Sequence, residues 1–128
     1  MQRAELLNLL RQHHTRFIDE AGFLRSAIEF VEKQGDCLYR ELWPAHVTGY
    51  GWVISPDRER VLMMHHRKHD KGFQTGGHAD GDADILRVAL KETSEETGLD
   101  SSYVKLLNDS IFDLDIHVIP AMGPDPRH

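Results

Sequence analysis

Three carboxylates, Glu92, Glu95 and Glu96, stand three and four residues apart in the run KETSEETGL. On a helix, residues at these spacings are neighbours, so Glu92 faces both Glu95 and Glu96, and each like-charge pair costs roughly 0.2–0.5 kcal/mol without a cation. A hard divalent ion answers that crowding, because it takes carboxylates, a carbonyl and waters and leaves places for phosphate oxygens. A Glu-rich helix alone is more often a solvated face. The weight of the stripe therefore rests on its flanks.

Those flanks predict a capped helix from about Asp84 to Thr97. Asp82 or Asp84 offers a short side-chain oxygen to the first free backbone N–H groups, and Gly98 can turn left-handed after the last turn. Ile85, Leu86, Ala89, Leu90, Thr93 and Thr97 fall on one broad face at the helical period, so that side is expected against a core. Just upstream, Gly76 and Gly77 read as a tight turn leading into an acidic loop.

The stretch from Gly76 to Leu99 resembles the Nudix hydrolases, whose box reads G-x5-E-x7-R-E-U-x-E-E-x-G-U, with U a bulky apolar residue. Aligned without gaps, Gly77, Glu92, Glu95, Glu96, Gly98 and Leu99 match, and Gly76 supplies the usual preceding glycine. Three positions depart. Ala83 stands where the first Glu belongs, Lys91 replaces Arg, and Thr93 replaces the apolar residue. Lys91 keeps a positive charge one turn before Glu95 but loses the planar fork of arginine, and Thr93 can still pack through its methyl group. The Glu absent at Ala83 generally assists the metal site, so reduced activity is expected.

The resemblance implies a Nudix-type α/β/α sandwich with a mixed sheet, here preceded by an N-terminal helical pair. It also implies magnesium, or manganese, held by Glu92, Glu95 and Glu96 with the Gly76 carbonyl as an additional ligand. The implied reaction is attack of water on the pyrophosphate of a nucleoside diphosphate linked to another group. A Nudix-like module that binds a nucleotide or metabolite without cleaving it, or a truncated remnant, are the other readings, motivated by Ala83 and by the end of the chain.

The remaining composition narrows the class. At 128 residues with 40% hydrophobic residues, the chain is expected to form one domain with a modest core. A net charge of −6 argues against a general nucleic-acid or anionic-membrane binder. The single cysteine, Cys37, permits no internal disulfide and suits a reducing cytoplasm as a buried thiol. No apolar run reaches transmembrane length, and the first 19 residues are too charged for a signal peptide.

Leucines at 6, 7, 9 and 10 predict a helix from Arg3 to about Phe17. Phe23, Leu24, Ala27, Ile28 and Val31 predict a second from about Asp19 to Lys33, stopped at Gly35. This pair, within residues 1–35, carries no catalytic signature. The Nudix-like core is expected over 46–119, with the box at 77–99. Its first two strands, His46–Ser55 and Arg60–His66, would be joined by the turn Pro56, Asp57, Arg58. Gly49 and Gly51 mark bulges, close backbone approach or plain flexibility, and Trp52 is expected in the core.

The run HHRKHDKGFQTGG gathers His65, His66, Arg67, Lys68, His69 and Lys71 before the glycines. Zinc is the weaker reading of these histidines, since no paired cysteines accompany them and adjacent His65 and His66 would point to opposite faces of a strand. A basic rim beside an acidic metal site suits a pyrophosphate better. Arg67 and Lys68 are its candidate phosphate-binding residues. After the helix, Ser102–Leu107 and the alternating Ile111–Ile119 are expected as strands. Nudix chains usually continue beyond this point, so an incomplete sheet and self-association into a homo-oligomer are further expectations.

Overall fold

A computed structural model describes residues 3–67 and 70–128 of the chain. Helices α1 (Arg3–Gln12) and α2 (Ile18–Lys33) are followed by strands β1 (Thr48–Gly51), β2 (Met64–His66), β3 (Lys71–Phe73) and β4 (Thr75–His78), and then by helix α3 (Ile85–Thr97). The chain is thus mixed α and β. Its described strands form two antiparallel pairs, β1 with β4 and β2 with β3.

Helix α1 is shorter than its leucine period suggests because side chains divert the backbone after Gln12. The Thr15 hydroxyl accepts from the Phe17 N–H at 3.1 Å and donates to Glu20, whose other oxygen meets the His13 ring at 2.7 Å. Such local bonds compete with helix continuation. At the far end of α2, Arg3 donates to the Val31 and Glu32 carbonyls at 2.6 and 3.1 Å, giving partners to acceptors that the helix leaves free. Gln34, in an extended conformation, ends α2 one residue before Gly35.

The core joins this helical pair to the loop and helix that carry the carboxylates. Leu6, Leu10, Val31, Cys37, Leu38, Ala79, Ala83 and Val88 form one buried cluster. Backbone bonds fix the linking segment: Val47 N–H donates to the Cys37 carbonyl at 2.7 Å, and Gly81 N–H to that of Leu38 at 3.0 Å. Cys37 is fully buried and free, and burial pushes its thiol pKa up, which keeps it protonated and inert.

Helix α3 lies across β1 and β4. The approach is close because glycine stands where it crosses: a Cβ on Gly49 would come within 2.9 Å of Ile85 Cγ2, and one on Gly51 within 3.2 Å of the Thr93 hydroxyl. Close backbone approach is therefore the role of both glycines.

Several expectations are corrected. Gly76 and Gly77 are not a turn but the middle of β4, in register with Tyr50 and Gly49. The expected hairpin survives only around its turn, where Ser55 N–H donates to Arg60 O at 2.9 Å, Leu62 N–H to Val53 O at 2.9 Å, and Ile54 bridges Val61. β1 gives its main edge to β4 instead. Trp52 is 52% exposed and stacks on exposed Phe112 rather than entering the core.

Ser102–Leu107 and Ile111–Ile119 form no strand. The second segment gives Ile111 and Leu114 to the core cluster, and its Leu114 N–H donates to Glu20 at 3.0 Å, so it binds a helix rather than a sheet edge. The tail is more ordered than its loop-like sequence suggests. Ile119 and His128 exchange two backbone hydrogen bonds, as do Met122 and Asp125.

Candidate metal and phosphate site

The carboxylate helix is capped at both ends as its sequence predicts. Asp84 is the N-cap and accepts from Arg87 N–H at 3.0 Å, while Gly98 takes φ 78° and closes the C-terminus through Ser94. The preceding loop is held by two forks. Arg40 grips Asp80 at 3.0 and 2.7 Å, and Arg87 grips Asp82 at 2.8 and 2.7 Å. These pairs draw the Asp80 and Asp82 carboxyls below their usual range. The aspartates of the loop are thus committed to holding it in shape.

The buried face of α3 is rotated from the expected one. Val88, Ala89 and Thr93 are its buried residues, whereas Leu90 is exposed. Leu86 and Leu90 instead line an open groove of about 410 Å³ with Leu99 and Val104. This rotation turns Glu92 toward the strands, where a Cβ on Gly77 would lie 3.0 Å from the Glu92 Cδ. Burial, and then the neighbouring charges of Glu95 and Glu96, push the Glu92 carboxyl up, with Lys91 opposing.

Glu96 accepts from the Gly76 N–H at 3.0 Å. Glu95 is exposed and pairs with Lys91 at 3.8 Å. The Gly76 amide N–H is thus tied to the stripe. Thr93, at the box's apolar position, is buried and shares a 2.6 Å hydrogen bond with the buried Thr75 hydroxyl. Ala83 belongs to the hydrophobic core at 7% exposure. A glutamate there would enter apolar packing.

Arg67 is exposed in the turn after β2, and among the described residues no hydrogen bond or ion pair joins it to the stripe. Lys68 lies outside the described residues. His65 meets Asp70 at 2.8 Å. Two groups that sequence reasoning missed stand closer to the carboxylates. The Tyr50 ring covers Gly76, where an added Cβ would come within 2.3 Å of Tyr50 Cδ1, and burial followed by the charges of Glu96 and Glu92 raises its hydroxyl pKa. The alternation of β1 gave no signal of it, since turning Gly49 and Gly51 toward α3 sends Tyr50 to the other face. Arg40, whose guanidinium feels the charge of Glu92, lay too far away in sequence to be paired by inspection.

Glu92, Glu95 and Glu96 offer the oxygen donors that a hard divalent cation takes, and the Glu92 carboxyl is raised first by burial and then by the charges of Glu95 and Glu96. Their chemistry fits such an ion. Among the described residues no three acidic, histidine or cysteine side chains are gathered in a group that could hold a metal ion, and Glu92, Glu95 and Glu96 lie spaced along one edge of the helix. No family model matches the chain, and no curated protein matches it. No described helix is long and apolar enough to cross a membrane.

Proposed function

We propose that this chain is a Nudix-type pyrophosphohydrolase, acting with magnesium on a nucleoside diphosphate linked to another group. The observation that carries the reading is the juxtaposition of the box's glycines and glutamates: Glu96 bonded to Gly76 and Glu92 against Gly77. In this proposal the fold is the family's α/β/α sandwich.

Glu92, Glu95 and Glu96 would hold the metal, with the Gly76 carbonyl as a further candidate. The ion supplies charge neutralisation at the phosphates and acidifies a bound water. The protein's own groups do the positioning. The forks Arg40–Asp80 and Arg87–Asp82 set the loop, the caps at Asp84 and Gly98 set the helix, and Lys91 holds Glu95. Arg40 and Lys91 are the cations beside Glu92, and Arg67 and Lys68 are proposed to extend this basic rim toward the phosphates.

A second reading, a module that binds without cleaving, is favoured by one observation. The position at which the family carries an assisting glutamate is packing here, in Ala83. A screen of nucleotide sugars, dinucleotides and nucleoside triphosphates with magnesium separates the two. Turnover supports the hydrolase, and saturable binding without turnover supports the module.

A further inference from the structure

Three histidines from distant parts of the chain meet beside the acidic loop. The His46 ring lies 5.1 Å from that of His78 on β4 and 5.2 Å from that of His128, nearly parallel to the latter at 25°. Trp43 sets its edge against His128 at 4.5 Å. The segment that delivers His128 is a narrow hairpin, closed by the Ile119–His128 bonds at 2.7 and 3.0 Å and by the Met122–Asp125 bonds at 2.9 and 3.0 Å. Its own ring is oriented by a bond from Nδ1 to the Pro126 carbonyl at 2.8 Å.

His46 Nδ1 is buried with no hydrogen-bond partner among the described residues. As an unprotonated nitrogen it forfeits one acceptor bond, which is a modest loss. As N–H⁺ it would be a buried, unpaired charged donor, a far larger one. We propose that the His46–His128 stack is an acid-released latch, which holds residues 119–128 against the fold while His46 is neutral and frees them when it is protonated. Undocking the hairpin lifts one ring from His46 and lets water reach Nδ1.

The charges that face the latch set its sign. Burial first, then His78, His128 and Arg40, hold His46 below the ordinary histidine value, and Asp80 opposes them. Arg40 is itself forked to Asp80, which blunts that opposition. Asp125 of the hairpin acts on His78 in the same direction as Asp80. Because His46 is held below the ordinary histidine value in the docked arrangement, docking is fully favoured above that ordinary value. It weakens as pH falls below that value toward the docked one.

The test is the ¹⁵N heteronuclear NOE of the Met122, Asp125 and His128 amides in the full chain from pH 8 to pH 5, with Leu10 and Val31 as core references. The latch predicts tail amides as rigid as the core at pH 8 and mobile at pH 5, with the core unchanged. The midpoint should coincide with titration of the His46 ring, followed in the same samples by its Cε1–H shift. His46→Phe, which keeps a ring but no proton site, should hold the tail rigid across the range. Tail amides equally rigid at both pH values, release that does not track His46, equal release in His46→Phe, or loss of core and tail together would each overturn the latch.

Discussion

The hydroxyls of Thr75 and Thr93 lie 2.6 Å apart, with both residues buried between β4 and α3. This bond joins the strand that carries Gly76 and Gly77 to the helix that carries the glutamates. It also explains a polar residue at a buried position of α3, since a buried hydroxyl is tolerated when it is paired. Thr75→Val alone should cost about 1–3 kcal/mol, because it strands the Thr93 hydroxyl. Thr75→Val with Thr93→Val should recover most of that loss. Urea unfolding of the two single variants and the double variant gives the coupling.

Ala83→Glu places a carboxylate in the cluster of Leu6, Leu38 and Val88 rather than beside the Glu92–Glu96 edge. It should lower stability by several kcal/mol, the size expected for an unpaired buried charge. Under the proposed hydrolase reading, this substitution is therefore expected to reduce hydrolysis by unfolding the chain. A melting curve beside the rate measurement shows this, and a stable, faster variant would mean that residue 83 can turn outward.

Glu20 ties α2 to Thr15, His13 and the Leu114 amide, and the Thr15 bond, then that from His13, draws its carboxyl below the ordinary value. A carboxylate lowered in the folded state contributes stability above its unfolded value and loses it as pH falls through the folded one. Glu20→Ala should therefore destabilise the chain at pH 7 and flatten its acid unfolding below about pH 4.5, where the wild-type carboxylate takes up its proton. Thermal melts from pH 7 to pH 3 measure both effects. A parallel acid profile in the variant would assign the acid loss to other groups.

How much of this was legible in the sequence follows from the range of each interaction. The caps at Asp84 and Gly98 act within one turn, and the spacing of Glu92, Glu95 and Glu96 is set by the helix itself, so both were readable. The rotation of α3 was not. Apolar residues at 85, 86, 88, 89 and 90 leave two faces open, and the strands, through Gly49 and Gly51, choose the one with Val88. The alternating Ile111–Ile119 carried a strand period, but its partner is Glu20 on a helix, a pairing that no local pattern records. Arg40–Asp80 and Thr75–Thr93 were hidden for the same reason.

Exposed apolar side chains run from Tyr103 at 75% through Leu107 at 67% to Phe112 at 71%, and Ile18 on α2 is 88% exposed. Large apolar side chains left in water favour association where they adjoin. The chain should therefore self-associate with rising concentration, and Tyr103→Ser with Leu107→Ser should weaken the association without lowering the melting temperature. Light scattering across a concentration series decides it, and a strict monomer at every concentration would contradict it.

The central claim is that the carboxylate edge of α3 works with magnesium on a pyrophosphate, and its most direct measurement is nucleotide release by the wild type and Glu96→Gln over a magnesium titration. The account predicts magnesium-dependent cleavage of at least one nucleoside-diphosphate compound, lowered about 100-fold or more in Glu96→Gln. The variant should melt where the parent does, since a Gln oxygen can still accept from Gly76 N–H. A folded wild-type chain that cleaves none of these compounds at saturating magnesium, or a Glu96→Gln that cleaves as fast, would contradict it.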